Sequence, residues 1–401
     1  LDKALIGDLN LPKVTARRKE FLQFSPPFFG QEEIDAVTEV LKTDWITTGP
    51  KTKQFEKEFA AAYGAEDALA LNSCTAGLHV ALLALGVGPG DEVIVPDHTF
   101  CATCNVVEHV GAIPVLVDVQ PDTLNIDPAR VEEAITSKTK AVMPVHFAGH
   151  PVDIDEIRDL ATGHGFAVIE DAAHAITAKY KGRFIGSEPN LAAFSFYATK
   201  NLSTAEGGML TGPADLVDQS RIYALHGMNK DAWKRYDKSG SWYYEVVVPG
   251  HKYNMTDIQA ALGLTQMKKL DRFQQRRREV YEAYNRAFSQ DDALIVPVER
   301  PYVESSLHLY PLRLNLDALK IDRDQFIREL TERNIGTSVH FIPMHTHPFY
   351  RDKYNYPQSR FPVTNDNYPR IITIPLHPRM SDEDISDVVN AVMDVAAEHR
   401  R

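Results

Sequence analysis

Cysteine is scarce in this 401-residue chain, which has three: Cys74, Cys101 and Cys104. So odd and sparse a set excludes a disulfide framework and points to a reducing, cytoplasmic setting. A chain of this length buries enough surface to fold without disulfides or a structural metal. Two of the cysteines form a C-x-x-C, Cys101-Ala102-Thr103-Cys104, as redox and zinc sites do. With one further cysteine they cannot complete a four-cysteine centre, and packing is the simpler use. Long apolar runs are also missing, which excludes a spanning helix. Leu1 to Glu20 lacks the apolar core of a signal peptide. Basic residues are in deficit: 43 Lys and Arg against 55 Asp and Glu give a net charge of −12. That field repels nucleic acid and anionic membrane, so an anionic substrate would need local donors. There is no repeat and no low-complexity tract. The glycines of Gly86-Val87-Gly88-Pro89-Gly90 precede a strand instead of following one, which excludes the dinucleotide-binding fingerprint.

What is present is alternation. Short β-branched runs (Ala68–Leu71, Glu92–Pro96, Pro114–Asp118, Ala141–His146, Ala167–Glu170, Ala192–Phe196 and Met209–Thr211) are separated, in the first part, by helical patterns at Ala76–Ala84, Pro128–Ile135 and Ile154–His164. This predicts an α/β fold with a large, mostly parallel seven-stranded sheet. Val115-Leu116-Val117 is apolar on both faces, as a sheet covered on both sides requires. Helices are expected at Gln31–Leu41 and Thr52–Tyr63, with turn chemistry at Thr47-Thr48-Gly49-Pro50 between them. A single long helix is expected over Thr256–Ser289, with Arg276-Arg277-Arg278 on a solvated face. Beyond Leu294 the pattern changes to a strand at Ser306–Leu314, a helix at Arg323–Arg333 and a last helix at Asp382–Glu398. The expected division is an arm-like or flexible extension over residues 1–22, a large α/β domain over 23–290, and a smaller α+β domain over 291–401.

In open parallel sheets ligands bind beyond the carboxyl ends of the strands, and three such ends carry chemistry. Asn72-Ser73-Cys74-Thr75-Ala76-Gly77 opens directly into a helix, a phosphate site by its free N–H groups or simply a capped helix. Asp171 leaves an apolar strand, where a carboxylate needs a cation or donor unless it caps a helix. Lys200 follows Phe194-Ser195-Phe196 and precedes Gly207-Gly208. A lysine at the end of a buried strand is a candidate amine nucleophile. Together these fit pyridoxal 5'-phosphate (PLP). The amine bonds the aldehyde, the carboxylate keeps the ring nitrogen protonated, and hydroxyls with a helix end hold the phosphate. Phe100, after its strand, is placed to cover the ring face.

Five segments in order, Trp45–Pro50, Ile169–Ala175, Phe194–Asn201, Ala205–Gly208 and Lys252–Asp257, make the chain resemble the nucleotide-sugar aminotransferases of PLP fold type I. Pro144-Val145-His146 and Tyr180–Arg183 are similar to the arabinose-aminating branch of that family. The resemblance implies a homodimer with shared active sites. Lys200 would be the Schiff-base lysine and proton shuttle, and Asp171 the partner of the ring nitrogen. His174 would lie near the ring oxygen, with Thr75, Ala76 and Ser195 on the phosphate. Phe100 stands where the branch has Trp, which keeps stacking but loses an indole N–H. Asn254 would reach the phosphate of the neighbouring subunit. Trp45, Thr47 and His340 would face a nucleotide-linked keto sugar, and L-glutamate would donate the amine and leave as 2-oxoglutarate.

Two rival functions share these features. A sugar dehydratase of the same fold replaces the lysine by His, and Lys200 argues against it. A PLP-binding regulator would keep Asp171 and the phosphate ligands without turnover. His345-Thr346-His347 with His340 lacks an assured third ligand, and no metal is expected.

Overall fold

The computed structural model describes residues 18–187, 189–229 and 243–401. Seven strands, β1 (Asp67–Leu71), β2 (Glu92–Pro96), β3 (Ile113–Val117), β4 (Thr139–Val142), β5 (Ala167–Asp171), β6 (Leu191–Ser195) and β7 (Gly208–Gly212), form one sheet. Their order is β1-β7-β6-β5-β4-β2-β3. β7 runs antiparallel to both its neighbours, and the other pairings are parallel. The expected seven-stranded, mostly parallel sheet is therefore present.

Alternation along the strands explains why both faces are covered. Ile94 enters one core while Val93 and Val95 enter the other, and Phe194 and Ala193 divide in the same way. On one face lie α2 (Pro50–Tyr63), α5 (Pro128–Ala134), α6 (Ile154–His164) and α8 (Asp257–Met267), with Phe55 and Phe59 fully buried against Phe196. On the other lie α3 (Cys74–Ala84), α4 (Cys101–His109) and α7 (Ala214–Ala224). Each large side chain so buried contributes roughly 1.5–3 kcal/mol. α1 (Gln31–Leu41), α6 and the last helix (Asp382–Glu398) have the expected bounds.

A second core gathers the C-terminal half of α9 (Leu270–Phe288), the sheet of Leu294–Ile295, Tyr310–Leu314 and Ile371–Ile374, and helices Arg323–Glu332 and Asp382–Glu398. Residues 1–17 of the expected extension lie outside the described residues. From Arg18 the chain lies on this second core: Arg18 pairs with Asp384 and Asp387, and Leu22 bridges to Ile335.

Four expectations need correction. The strand placed at Ala141–His146 ends at Val142, because Pro144 lacks the donor that would continue the ladder. The helix placed over Thr256–Ser289 is two, α8 and α9. The break at Lys268-Lys269 sets the Lys269 ammonium 2.7 Å from Glu33, a buried carboxylate of α1 that requires a cation. The strand placed at Ser306–Leu314 begins only at Tyr310. Leu307 has a left-handed φ of 51°, and Ser306 and His308 instead bond to Gly149 and Ala148. Arg277 is not solvated. It is 2% exposed, and its guanidinium donates to the carbonyls of Leu307, His308 and Leu376.

Two quoted motifs lock together. The buried Asp257 carboxylate accepts from the N–H groups of Gly49, Lys51 and Thr52 and from the Thr52 hydroxyl, capping α2 from α8. Thr48 donates to the Met255 carbonyl at 2.5 Å, and Asn254 donates to the Thr48 hydroxyl at 2.6 Å. Asp257→Ala would leave these donors buried without an acceptor. The expected loss is about 3 kcal/mol, read as a lower urea midpoint at unchanged slope.

Candidate active site

The carboxyl ends of β2, β5 and β6 open into a cavity of about 400 Å³, closed from above by the segments Leu307–Leu309 and His340–Phe341. Its floor carries Asp171 at the end of β5 and its wall carries Lys200 beyond β6, beside Ser73, Thr75, Phe100, His174 and Ser195. Expected residues from four separated segments therefore meet at one place.

Asp171 is 4% exposed. Burial pushes its carboxyl pKa up, while the Thr103 hydroxyl, the Ala173 N–H and the Lys200 charge pull it back. Lys200 faces the opposite effect. Burial pulls its ammonium pKa down to about 8, against the attraction of Cys74 and Asp171. A free amine near neutral pH beside a buried carboxylate is what carbonyl chemistry requires. The Lys200 loop is held from both sides: Ser25 donates to the Thr199 carbonyl, and the amide of Asn201 bonds Ser306 and the His308 ring.

At the amino end of α3 the Ser73 hydroxyl accepts from the Ala76 N–H at 3.0 Å. Ala76 is thus buried and engaged within the cap, while Thr75 lines the cavity. The Gly207-Gly208 pair reflects close approach. A Cβ on Gly208 would lie 2.4 Å from the Ser73 backbone, so only glycine lets β7 pass behind this turn.

His174 accepts the Ala148 N–H on Nδ1, so its neutral ring carries the proton on Nε2. Burial holds its pKa well below the usual value. Phe100 is 58% exposed at the mouth, its ring tilted against that of Phe341. His340 lines the cavity, with Nδ1 on the Thr373 hydroxyl and its ring against Phe24; burial and nearby Lys200 lower its pKa to about 3.

Four expected residues do not line this cavity: Ala76, held in the α3 cap, and Asn254, Trp45 and Thr47. Asn254 lines a separate recess with Thr48 and Arg221, Trp45 donates to the Thr48 carbonyl, and the Thr47 carbonyl accepts from Asp257. His345, considered as a metal ligand, is instead clamped to Asp97, with Nδ1 at 2.7 Å and its N–H at 2.8 Å. Cys104 is fully buried in the core beneath the site, with Cys101 packed against it. Phe24, Thr103, His308 and Phe341 were not singled out from sequence. The chain brings them in from segments whose only signal was apolar or loop-like.

The donor set fits PLP: a reactive amine, a buried carboxylate, and hydroxyls around a helix amino terminus. The pattern defining the DegT/DnrJ/EryC1/StrS aminotransferase family matches residues 27–393. The chain belongs to that family. The spore coat polysaccharide biosynthesis protein SpsC of Bacillus subtilis is 51% identical over 381 residues, 94% of this chain and 98% of SpsC. In structure the chain is similar to the PLP form of Streptococcus pneumoniae Spr1654, described as a candidate sugar aminotransferase. The TM-score is 0.88 at 35% identity, over 94% of this chain and 99% of that one. It is also similar to Helicobacter pylori PseC, an aminotransferase of pseudoaminic acid biosynthesis, with a TM-score of 0.87 at 28% identity, over 95% of this chain and 100% of PseC. The fold is that of a PLP fold type I aminotransferase, and PLP is the cofactor. These relatives support the resemblance at the level of the sugar aminotransferase family without singling out its arabinose-aminating branch. Among the described residues no helix is long and apolar enough to cross a membrane.

The lowered Lys200 pKa has a direct consequence in the cofactor-free protein. At pH 8 about half of its amine is neutral, against under about 1% for an ordinary lysine. Limited acylation at pH 8 should therefore label the Lys200 peptide ahead of exposed lysines. Labelling no faster than theirs would show an ordinary amine.

Proposed function

We propose that the protein transfers the amino group of L-glutamate to a keto group on a nucleotide-linked sugar. It would act as a homodimer whose active sites each draw on both chains. The observation that carries the reading is the meeting of Lys200 and Asp171 in one cavity of a sugar aminotransferase fold. Bound there, PLP supplies an electrophilic aldehyde and an electron sink. Lys200 would hold that aldehyde and would move a proton at the reacting carbon in both halves of the cycle. Asp171 would face the ring nitrogen and keep it protonated. His174, with its proton on Nε2, would face the ring oxygen, and Phe100 would cover the ring. Thr75, Ser195 and the first turn of α3 would hold the phosphate, with Ala76 contributing once its N–H leaves the Ser73 hydroxyl. In the first half glutamate leaves as 2-oxoglutarate, and in the second the keto sugar takes the amine.

Charge supports the shared site. Among the described residues lining the cavity, Lys200 is the sole Lys or Arg, set against Asp171 and Glu206. A dicarboxylate donor and a nucleotide diphosphate thus need hydrogen-bond donors from elsewhere. Asn254 lies outside its own chain's cavity, where a second chain would bring it to the neighbour's phosphate. His340, Trp45 and Thr47 are proposed at the sugar-nucleotide entrance. The spore coat polysaccharide role of SpsC favours a product destined for cell-surface polysaccharide.

Borohydride reduction of the PLP-loaded protein should bleach the visible band and fix the cofactor on the Lys200 peptide. Lys200→Ala should retain PLP but lose turnover by at least about 10⁴-fold, and full activity would overturn the mechanism. Single-turnover amine transfer from glutamate separates an aminotransferase from a PLP-binding regulator, which would show none. Asn254→Ala should weaken PLP retention about tenfold, and unchanged affinity would argue against sharing between chains.

A further inference from the structure

The C-x-x-C segment holds its functional group between the cysteines. Thr103, on α4 and fully buried, donates its hydroxyl to Oδ2 of Asp171 at 2.8 Å. The other oxygen, Oδ1, accepts the Ala173 N–H at 3.1 Å. Thr103 Oγ1 also lies 2.8 Å from Oγ1 of Thr99, which is 1% exposed. A hydroxyl has one proton. With that of Thr103 spent on the carboxylate, the second contact runs from Thr99 to Thr103 and polarises the Thr103 hydroxyl toward Asp171. Cys74 Sγ is 3.9 Å from Oδ1 but 3.2 Å from the Ala193 carbonyl, the nearer acceptor for its proton.

We propose that Thr103, backed by Thr99, is a positioning residue that keeps Asp171 ionised and turned toward the cofactor's ring nitrogen. This rests on the reading of Asp171 as the partner of that nitrogen. Burial by itself favours the neutral acid. A neutral Asp171 would already carry the proton that the ring nitrogen needs to keep. A donor fixed on Oδ2 favours the charged form and leaves the remaining lone pairs for the ring. The titratable groups facing the carboxylate are Lys200 beyond β6, His146 beyond β4, Cys74 on α3 and Cys104 on α4. None of these is a hydroxyl able to replace Thr103 as the donor.

The test uses the 401-residue chain loaded with PLP, comparing wild type with Thr103→Val, Thr103→Ser and Thr99→Val. Two quantities are read: the dissociation constant for PLP, and the pH midpoint of the bound cofactor's visible band. Thr103→Val should weaken PLP binding about tenfold, the size of one hydrogen bond to a charged group. It should also raise the band's midpoint by roughly one pH unit, since a ring with less positive charge at nitrogen lets the Lys200 nitrogen hold its proton more firmly. Thr103→Ser should restore both values to within about twofold and a few tenths of a unit, and Thr99→Val should move both in the same direction by less. Wild-type values in a folded Thr103→Val overturn the inference, as does a Thr103→Ser as impaired as the valine. Should Thr103→Val lose its melting transition, Thr99→Val decides, and an unmoved midpoint there overturns the proposal. A wild-type chain that shows no visible band with PLP instead overturns the underlying reading of Asp171 and Lys200.

Discussion

A buried carboxylate and a nearby amine at the ends of adjacent strands impose the main constraint on this molecule. Asp171 and Lys200 are each pushed by burial toward neutrality, and each partly holds the other in the charged form. That balance requires β5 and β6 to run parallel and side by side, so that both strands deliver their carboxyl ends to one cavity. The parallel pairing in turn requires helices on both faces, and the double cover requires the alternating cores built around Phe55, Phe59 and Leu78. The chemistry thus sets a demand that reaches down to the helix–sheet packing.

Much of this was legible in the residues. Strands in a doubly covered sheet are apolar on both faces, so β1, β5 and β6 stand out as short runs. The groups at or beyond their carboxyl ends, Thr75, Asp171 and Lys200, are read off the strand ends. What was not legible depends on contacts between distant segments. Nothing near Arg277 tells that its guanidinium will satisfy three carbonyls from two other loops, so a basic run looked solvated. The division of α8 from α9 was equally hidden, because the cause is Glu33, more than two hundred residues away along the chain. The cavity roof was missed for a similar reason. Phe341, His308 and Phe24 belong to irregular segments whose positions follow from hydrogen bonds between distant parts of the chain and, at Leu307, a left-handed residue, rather than from periodicity.

The motifs that carried the family resemblance divide by physical role. The Ile169–Ala175 and Phe194–Asn201 segments supply groups in the cavity. The Trp45–Pro50 and Lys252–Asp257 segments bind each other, with Asp257 closing the start of α2. Gly208 supplies clearance behind the α3 turn, and Gly207 clears Thr204 and Met255. Family signatures of this kind mix reacting groups with groups that hold the backbone still.

The loop leaving β2 has a consequence for how such an enzyme changes over evolutionary time. Within seven residues it carries Asp97, which ties down His345 of the segment roofing the site; Thr99 and Thr103, which stand behind Asp171; and Phe100, which lines the mouth. A substitution that moves this loop disturbs the roof, the buried carboxylate and the mouth together, so it is a poor place to alter one property at a time. New sugar preferences would arise more readily at Phe24 and Tyr197, which meet the cavity without also supporting Asp171.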